Sequence, residues 1–312
     1  MGKTALLFPG QGSQYVGMGK TLAEAYPAAR LVLESADQAL GFAISRIFIE
    51  GTEVDLKLTE NTQPALLTVS IAAFTVLREL GIRSDYVAGH SLGEYSALVA
   101  AGSLRFTDAL RLVRKRGRFM QQAVPPGQGA MAALLKLPVG RLEQVLRDSG
   151  QGEVVSAANL NAPDQVVIAG HAGAVNRAMK LAKAAGARRT VLLPVSAPFH
   201  CPLMRPAQEQ MAPEVNGTVF EDLDWPLVNN WQAREVRTAA DARKGLIEQI
   251  PNAVRWEETI RYFAAQGVDR FIEVGPGGVL TGLLRSIDPS LQGIKFGEAA
   301  DVEKLHLAAA SH

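Results

Sequence analysis

The stretch Tyr86-Val87-Ala88-Gly89-His90-Ser91-Leu92-Gly93 reads as a short buried strand that turns at once into a serine with glycines close on either side. A helix pattern follows over residues 94–101 and ends at Gly102. A strand, a G-x-S-x-G pentapeptide and a helix in this order are typical of a nucleophile elbow, where the glycines permit a sharp turn that exposes the serine. The new helix offers its N–H groups to a developing oxyanion. Ser91 is therefore the predicted nucleophile; the alternative is a glycine-rich turn that holds a serine by chance.

Strands and helices alternate on both sides of this elbow. Residues 4–8 predict a strand closed by Pro9-Gly10, residues 270–274 predict another, and helices are predicted at 18–40 and 64–80. Such alternation predicts an α/β fold with a parallel sheet covered on both faces. We expect a large α/β-hydrolase-like domain built from residues 1–126 and 197–312.

The middle of the chain has a different order of elements. Strand, helix, strand, strand, helix and strand are predicted in turn at 130–135, 139–149, 154–158, 165–169, 172–185 and 190–194. This βαββαβ order is the split pattern of a ferredoxin-like unit, and Pro125-Pro126-Gly127 forms a natural boundary before it. The sequence therefore predicts an inserted ferredoxin-like small domain at residues 127–196.

A serine nucleophile needs a base, and the chain has five histidines. His90 lies inside the elbow, and His171 lies in a turn of small residues. His306 and His312 belong to the last seven residues of the sequence. His200 lies in a loop after the last strand of the predicted small domain, which places it over a cleft between the domains. His200 is therefore the predicted base, and an ordinary surface histidine is the alternative. No aspartate between Ser91 and His200 has a strand-end context, so no third member of a triad is predicted.

A second glycine loop, Pro9-Gly10-Gln11-Gly12-Ser13-Gln14, follows the first strand. A Walker loop ending at Gly19-Lys20-Thr21 would need glycine at position 14, and a dinucleotide loop starting at position 10 would need glycine at position 15. Gln14 and Tyr15 stand there, so both nucleotide patterns fail. The loop is then either backbone that approaches a ligand, with Gln11 offering its amide, or a plain tight turn.

Basic side chains crowd one predicted helix between Arg111 and Arg118. Most charges in such a run form a solvated face. The alternative is that one arginine binds a substrate carboxylate through two parallel hydrogen bonds.

The overall composition excludes several classes of protein. The 312 residues carry 32 basic and 31 acidic side chains, which gives no support for a general nucleic-acid binder. No apolar stretch approaches the ~18 residues of a membrane span, and no signal peptide is recognisable. Cys201 is the only cysteine, so no intramolecular disulfide can form, and no Cys/His spacing resembles a zinc site. We expect a cytoplasmic protein that binds neither nucleic acid, membrane nor metal.

Several segments besides the elbow form a recognisable series. They are Phe8-Pro9-Gly10-Gln11-Gly12-Ser13-Gln14, Thr62-Gln63-Pro64-Ala65, Arg116-Gly117-Arg118-Phe119-Met120, Asn159-Leu160-Asn161-Ala162-Pro163, Phe199-His200 and Glu273-Val274-Gly275-Pro276-Gly277. In this order, and with Glu94 after the elbow, the series resembles the malonyl-CoA:acyl-carrier-protein transacylases of fatty acid synthesis, which are similar to the acyltransferase domains of polyketide synthases. The resemblance covers nearly the full length, and that family also has an inserted ferredoxin-like domain.

The resemblance implies a role for each matching residue. Ser91 would carry the acyl group, and His200 would take its proton, oriented by a backbone carbonyl near Gln249 rather than by an acid. Gln11 and the backbone N–H of Leu92 would form the oxyanion hole, and Arg116 would bind the free malonyl carboxylate. The remaining substrate contacts would come from Gln63, Met120, Asn159, Phe199 and His90. Leu92 and Phe199 resemble the malonyl-selective versions of their motifs.

The implied reaction is a ping-pong transfer of malonyl from malonyl-CoA to the phosphopantetheine thiol of an acyl carrier protein. We expect a monomer without a cofactor, with Arg188 and Arg189 or the 111–118 helix meeting the acidic carrier. One segment departs from the family pattern, because Ala253 stands where a proline is usual shortly before Trp256. The alternatives are a serine esterase or thioesterase, a polyketide-type acyltransferase of other acyl selectivity, and a non-catalytic carrier-binding module.

Overall fold

The computed structural model describes residues 2–195 and 197–309, the side chains of 306–309 excepted. The strands are β1 (Lys3–Phe8), β2 (Tyr86–Gly89), β3 (Gly129–Leu135), β4 (Val155–Ala162), β5 (Gln165–His171), β6 (Arg189–Leu192), β7 (Leu227–Val228), β8 (Glu235–Val236), β9 (Val268–Val274) and β10 (Gly293–Phe296). The helices are α1 (Lys20–Ala25), α2 (Pro27–Leu40), α3 (Ile44–Glu50), α4 (Glu53–Lys57), α5 (Thr59–Glu79), α6 (Gly93–Ala100), α7 (Phe106–Gln122), α8 (Leu142–Gly150), α9 (Ala172–Ala184), α10 (Arg205–Asn216), α11 (Ala239–Glu248), α12 (Trp256–Ala265), α13 (Val279–Ile287) and α14 (Val302–Ala309). Short 3-10 helices lie at Pro202–Met204 and Ala299–Asp301.

A six-stranded sheet in the order β10-β9-β1-β2-β7-β8 forms the centre of the larger part. Its strands pair in parallel, except that β8 runs antiparallel to β7. Successive side chains of β1 point to opposite faces, as the pleat requires. Leu6 and Phe8 pack with helices α5, α6 and α7, whereas Ala5 and Leu7 pack with α12 and α13. The predicted α/β class with a parallel sheet covered on both faces is confirmed.

A second sheet, entirely antiparallel, has the strand order β4-β5-β3-β6. Along the chain its elements follow as β3, α8, β4, β5, α9 and β6. Ala132 and Leu134 face α8 and α9, while Met131 and Ala133 face the main core of the larger part. This sheet therefore packs directly beside the elbow of the parallel sheet. The predicted boundary at 196/197 falls on Ser196, which lies outside the described residues, and the division into domains stays a prediction.

Prolines explain two errors in the predicted helices. The helix predicted at 18–40 is two helices, because Pro27 forces Tyr26 into an extended conformation with φ −125° and ψ 113°. The helix predicted at 64–80 begins five residues earlier, at Thr59, and runs through Pro64. Proline favours the first turn of a helix, so the sequence pattern placed the start too late. Among the described residues, no helix is both long enough and apolar enough to cross a membrane.

Candidate active site

The turn between β2 and α6 is sharp, and glycines at positions 89 and 93 permit it. Ser91 has φ 51°, a left-handed conformation that an ordinary residue keeps only where the surroundings impose it. A Cβ atom on Gly89 would lie 1.9 Å from the Gly93 carbonyl, and one on Gly93 would lie 2.0 Å from the carbonyl oxygen of Phe8. Glycine at both positions therefore lets β1, β2 and α6 meet closely enough to lift Ser91 out of the turn.

His200 lies beside this serine, although the two are far apart in the chain. Its Nε2 atom is 2.7 Å from Ser91 Oγ, and its Nδ1 atom is 2.8 Å from the main-chain oxygen of Gln249. A carbonyl oxygen only accepts, so Nδ1 carries the proton and Nε2 is free to accept from the serine hydroxyl. Burial, together with the charge of Arg116, lowers the pKa of His200 to about 3. The imidazole is therefore neutral at physiological pH, as a base must be.

Arg116 is the only member of its basic run that turns into this site. Its guanidinium donates to Ser91 Oγ at 3.1 Å, to Gln63 Oε1 at 2.9 Å and to Gln249 Oε1 at 2.6 Å. The side chain is 1% exposed, and burial lowers its pKa. No carboxylate of the described residues lies within salt-bridge distance of it. Burying an arginine without an anionic partner costs desolvation free energy, which a bound anion would offset.

The rest of the basic run lies on the outer side of α7. Arg111 pairs with Asp108 and Lys115 with Glu214. The guanidinium of Arg114 lies 4.0 Å from the centre of the Phe42 ring. Arg111 and Arg118 are exposed and Arg114 and Lys115 are half-buried, so Arg116 differs from its neighbours by position and not by residue type.

The predicted site residues surround one cleft of about 90 Å³ between the two sheets. All of them line it except Gln249, which lies behind Arg116. The cleft is lined by Gln11, Gln63, His90, Ser91, Leu92, Arg116, Met120, Asn159, Phe199 and His200, and by the unpredicted Met131, Leu193 and Val195. Asn159 Oδ1 is buried there without a hydrogen-bond partner. The cleft thus combines an apolar wall with a few polar groups, as small-molecule sites usually do.

Two backbone N–H groups at the cleft are unused. Those of Gln11 and Leu92 donate to no other group of the described residues. Leu92 lies at the N-terminus of α6. Its N–H is therefore part of the positive end of the helix dipole, which attracts negative charge. Such a pair of free donors can stabilise an oxyanion that forms on a carbonyl attacked by Ser91.

Two other histidines are described. His90 lines the cleft, its ring is tilted by 57° to that of Trp256 with centres 5.5 Å apart, and its Nε2 lies 2.9 Å from Asn161 Oδ1. His171 accepts a hydrogen bond from the backbone N–H of Val154. The side chain of His306, and His312 altogether, lie outside the described residues. In the same described part, no group of three or more His, Cys, Asp or Glu side chains is arranged to hold a metal ion.

The sequence interpretation missed two buried polar residues behind the site, Glu94 and Asn230. The side chain of Asn230 accepts from the N–H of Ser91 at 2.6 Å and donates to the carbonyl of Gly89 at 2.7 Å, so it spans the elbow. Glu94 accepts from the N–H of Asn230 and from Gln249 Nε2. Asn230 follows β7, which is parallel to β2, and polar residues at the carboxyl ends of parallel strands are the signal that was available.

The chain is similar to known acyltransferases over nearly its full length. Residues 5–304 match the acyl transferase domain family. A malonyl CoA-acyl carrier protein transacylase of Bacillus subtilis is 48% identical over 304 residues, 97% of this chain and 96% of its own. An acyl carrier protein S-malonyltransferase of Vibrio cholerae is 44% identical, with a TM-score of 0.95 over 97% of this chain and 99% of the other. A malonyl-transacylase solved in complex with its type II PKS acyl-carrier protein is 42% identical, with a TM-score of 0.95 over 97% and 98% of the two chains.

Proposed function

This chain belongs to the malonyl CoA-acyl carrier protein transacylase family of acyl transferase domains, and from that premise we propose that it moves malonyl from malonyl-CoA to the phosphopantetheine thiol of an acyl carrier protein. The observation that carries the proposal is the approach of Arg116 to within 3.1 Å of Ser91 Oγ, which itself lies 2.7 Å from His200 Nε2. An acyl group on this oxygen places its far end beside a buried guanidinium. An acyl group ending in a carboxylate satisfies that guanidinium, and an acetyl group does not.

The first half-reaction acylates the enzyme. Ser91 Oγ attacks the thioester carbonyl of malonyl-CoA while its proton moves to His200 Nε2. The oxyanion accepts from the N–H groups of Gln11 and Leu92. When the carbon–sulfur bond breaks, the departing sulfur takes the proton from His200, so CoA leaves as a thiol and malonyl remains as an ester of Ser91.

The second half-reaction reverses these steps with another thiol. The phosphopantetheine thiol of the carrier gives its proton to His200 Nε2 and attacks the ester carbonyl, and the Ser91 oxygen takes that proton back as it leaves. His200 returns to its starting tautomer because the Gln249 carbonyl holds Nδ1–H throughout. CoA departs before the carrier reacts, which makes the mechanism ping-pong.

A serine esterase or thioesterase with the same elbow would use water as acceptor. The buried Arg116 argues against it, because such an enzyme has no use for a carboxylate-binding group in its acyl pocket. The experiment is to incubate the protein with malonyl-CoA and a phosphopantetheine-bearing carrier, and to measure malonyl-carrier and free malonate together. We expect the malonyl-carrier to dominate; malonate as the main product would replace the proposed transferase with a hydrolase.

The rate of acylation should not follow the titration of a histidine with an ordinary pKa. A histidine with a pKa near 6.5 would lose its basic form tenfold per unit below that pH, or about thirtyfold by pH 5. The pKa of His200 is lowered to about 3, so the neutral base persists across this range. We expect kcat/KM for acylation by malonyl-CoA to fall by less than about threefold between pH 8 and pH 5. Burial raises the pKa of Glu94 to about 7, so its titration falls in the same range. A tenfold decline per unit starting at pH 6.5, and still present in Glu94→Gln, would contradict the assigned environment of His200.

The surface that meets the carrier is proposed on β6, the edge strand of the smaller sheet. Arg188 and Arg189 are exposed at its start, and the strand leads into Leu193 and Val195 of the cleft. Charge reversal of both, Arg188→Glu with Arg189→Glu, should raise the KM for an acidic carrier about tenfold at low salt. Acylation by malonyl-CoA should stay unchanged.

The matched control reverses two exposed lysines on α9, Lys180→Glu with Lys183→Glu, which changes the net charge equally within the same part of the chain. Steady-state kinetics with the carrier as the varied substrate gives the answer. Equal KM values for the two double variants would exclude the arginine pair as the docking site.

The remaining expectations belong to the same proposal. We infer that residues 127–196 form an inserted ferredoxin-like domain, supported by the order of β3, α8, β4, β5, α9 and β6 and by their antiparallel sheet. The proposed chemistry needs no cofactor, since malonyl-CoA and the carrier are substrates. We also propose that the protein is a monomer that works in the cytoplasm; a free, buried Cys201 fits a reducing compartment.

A further inference from the structure

One amide group separates Arg116 from the buried carboxylate behind it. Gln249 Oε1 accepts from Arg116 Nη2 at 2.6 Å, and Gln249 Nε2 donates to Glu94 Oε2 at 2.9 Å. All three side chains are at most 1% exposed. The guanidinium and the carboxylate therefore interact through Gln249 without touching.

The chemistry of its two neighbours fixes which way the Gln249 amide faces. A guanidinium only donates, so it must meet the amide oxygen, and a carboxylate accepts, so it meets the NH₂ group. If the acceptor at Glu94 were moved away, the NH₂ group would lose this partner and keep only the 3.4 Å contact with the Ser91 carbonyl. The amide would then be held by Arg116 alone, and its oxygen would fix Arg116 Nη2 beside Ser91 Oγ less firmly.

Glu94 also reaches the elbow by a second route. The oxygen that receives Gln249 Nε2 accepts from the backbone N–H of Asn230 at 3.1 Å. The side chain of Asn230 in turn hydrogen-bonds to the backbone of Gly89 and Ser91, on the two sides of the elbow. One carboxylate oxygen thus connects the residues that hold the serine to the residue that holds the guanidinium.

We propose that Glu94 is a positioning residue for acyl transfer, which holds Arg116 against Ser91 through the side chain of Gln249. This inference rests on the proposed function, because it assigns to Arg116 the binding of the substrate carboxylate. A carboxylate bonded directly to Arg116 would occupy the donor fork that the substrate needs. The intervening amide takes one N–H of Nη2, and the Nε–H of Arg116 has no hydrogen-bond partner among the described residues.

Two substitutions separate the position of the acceptor from its charge. Glu94→Gln keeps an acceptor oxygen at the same reach and removes the charge. Glu94→Asp keeps the charge and withdraws the oxygen by one methylene. The main-chain oxygen of Gln249 belongs to the end of α11, so neither change removes the hydrogen bond that orients His200.

The test measures KM and kcat for malonyl-CoA and acetyl-CoA in both variants, with thermal unfolding as a check on the fold. We expect Glu94→Asp to raise the KM for malonyl-CoA about tenfold or more, and to change the KM for acetyl-CoA by less than about threefold. Glu94→Gln should keep the malonyl-CoA KM within about threefold of the parent protein.

Other outcomes would overturn the inference. A raised malonyl-CoA KM in Glu94→Gln with an unchanged KM in Glu94→Asp would assign a purely electrostatic role to Glu94. An equal rise in KM for malonyl-CoA and acetyl-CoA would assign it a general structural role. If either variant fails to fold, the malonyl-CoA KM of the other still decides. Failure of the proposed function is distinguishable, because the parent protein would then transfer no malonyl to the carrier.

Discussion

Replacing Ser91 with alanine is expected to lower the kcat for malonyl transfer by about 10⁴-fold or more, because no other oxygen can accept the acyl group. The hydroxyl is the one atom that both His200 and Arg116 contact. The free N–H groups of Gln11 and Leu92 remain in the variant, so binding of malonyl-CoA should persist while turnover disappears. The expected signature is therefore a loss in kcat with little change in substrate affinity.

A matched control lies on α6, the helix that follows the elbow. Ser96 is buried on α6, and its Oγ has no hydrogen-bond partner among the described residues. Ser96→Ala removes a buried hydroxyl five residues after Ser91, and we expect kcat to stay within about twofold of the parent value. Transfer of radiolabelled malonyl to the carrier measures both variants. Comparable residual activity in the two would show that Ser91 is not the nucleophile.

Replacing Arg116 with alanine is expected to separate malonyl from acetyl transfer. A buried carboxylate that loses its partner costs about 3–5 kcal/mol, so kcat/KM for malonyl-CoA should fall by about 10²- to 10⁴-fold. Acetyl-CoA has no carboxylate to desolvate, and its kcat/KM should fall by less than about tenfold, the part due to lost contacts with Ser91 and Gln249.

Arg118 supplies the control for this substitution. It lies two residues further along α7, on the exposed side. Arg118→Ala should leave the ratio of malonyl to acetyl transfer unchanged, because it removes the same charge at a distance from the cleft. If Arg116→Ala reduced the two transfers equally, Arg116 would have no role in binding the substrate carboxylate.

How much of the site could be predicted depended on how local its signals are. Ser91 and Leu92 belong to one continuous pattern, in which the glycines, the strand and the helix all point to an elbow. His200 was reached from the residues only by eliminating the other histidines, since nothing in its own loop marks a base. Arg116 and Gln249 could not be assigned from residue patterns at all, and only the resemblance to a family pointed to them.

Glu94 and Asn230 were not predicted because their roles depend on tertiary packing. A glutamate in the first turn of a helix looks like an ordinary favourable charge on the helix end. Only the packing of α11 and the chain after β7 over that turn buries its carboxylate to 1% exposure. Burial raises its pKa to about 7, which no local pattern could reveal.

The fold shows the same division between local and long-range information. Strands β1, β2 and β9 have strong apolar patterns and were expected within two residues of their observed bounds. Strands β7 and β8 have two residues each, too few for any alternation to show. Despite the departure at Ala253, the carbonyl of Gln249 lies 2.8 Å from His200 Nδ1, and Val254 is held by hydrogen bonds to Ala158 and Leu160 of β4.

The central claim is that malonyl rests on the hydroxyl of Ser91 between its two carriers. Intact-protein mass spectrometry after mixing with malonyl-CoA, followed by addition of a phosphopantetheine-bearing carrier, tests it most directly. The account predicts one malonyl adduct per chain, on the peptide that contains Ser91, absent from Ser91→Ala and discharged when the carrier is added. An adduct that forms equally on Ser91→Ala, or that persists after the carrier is added, would contradict it.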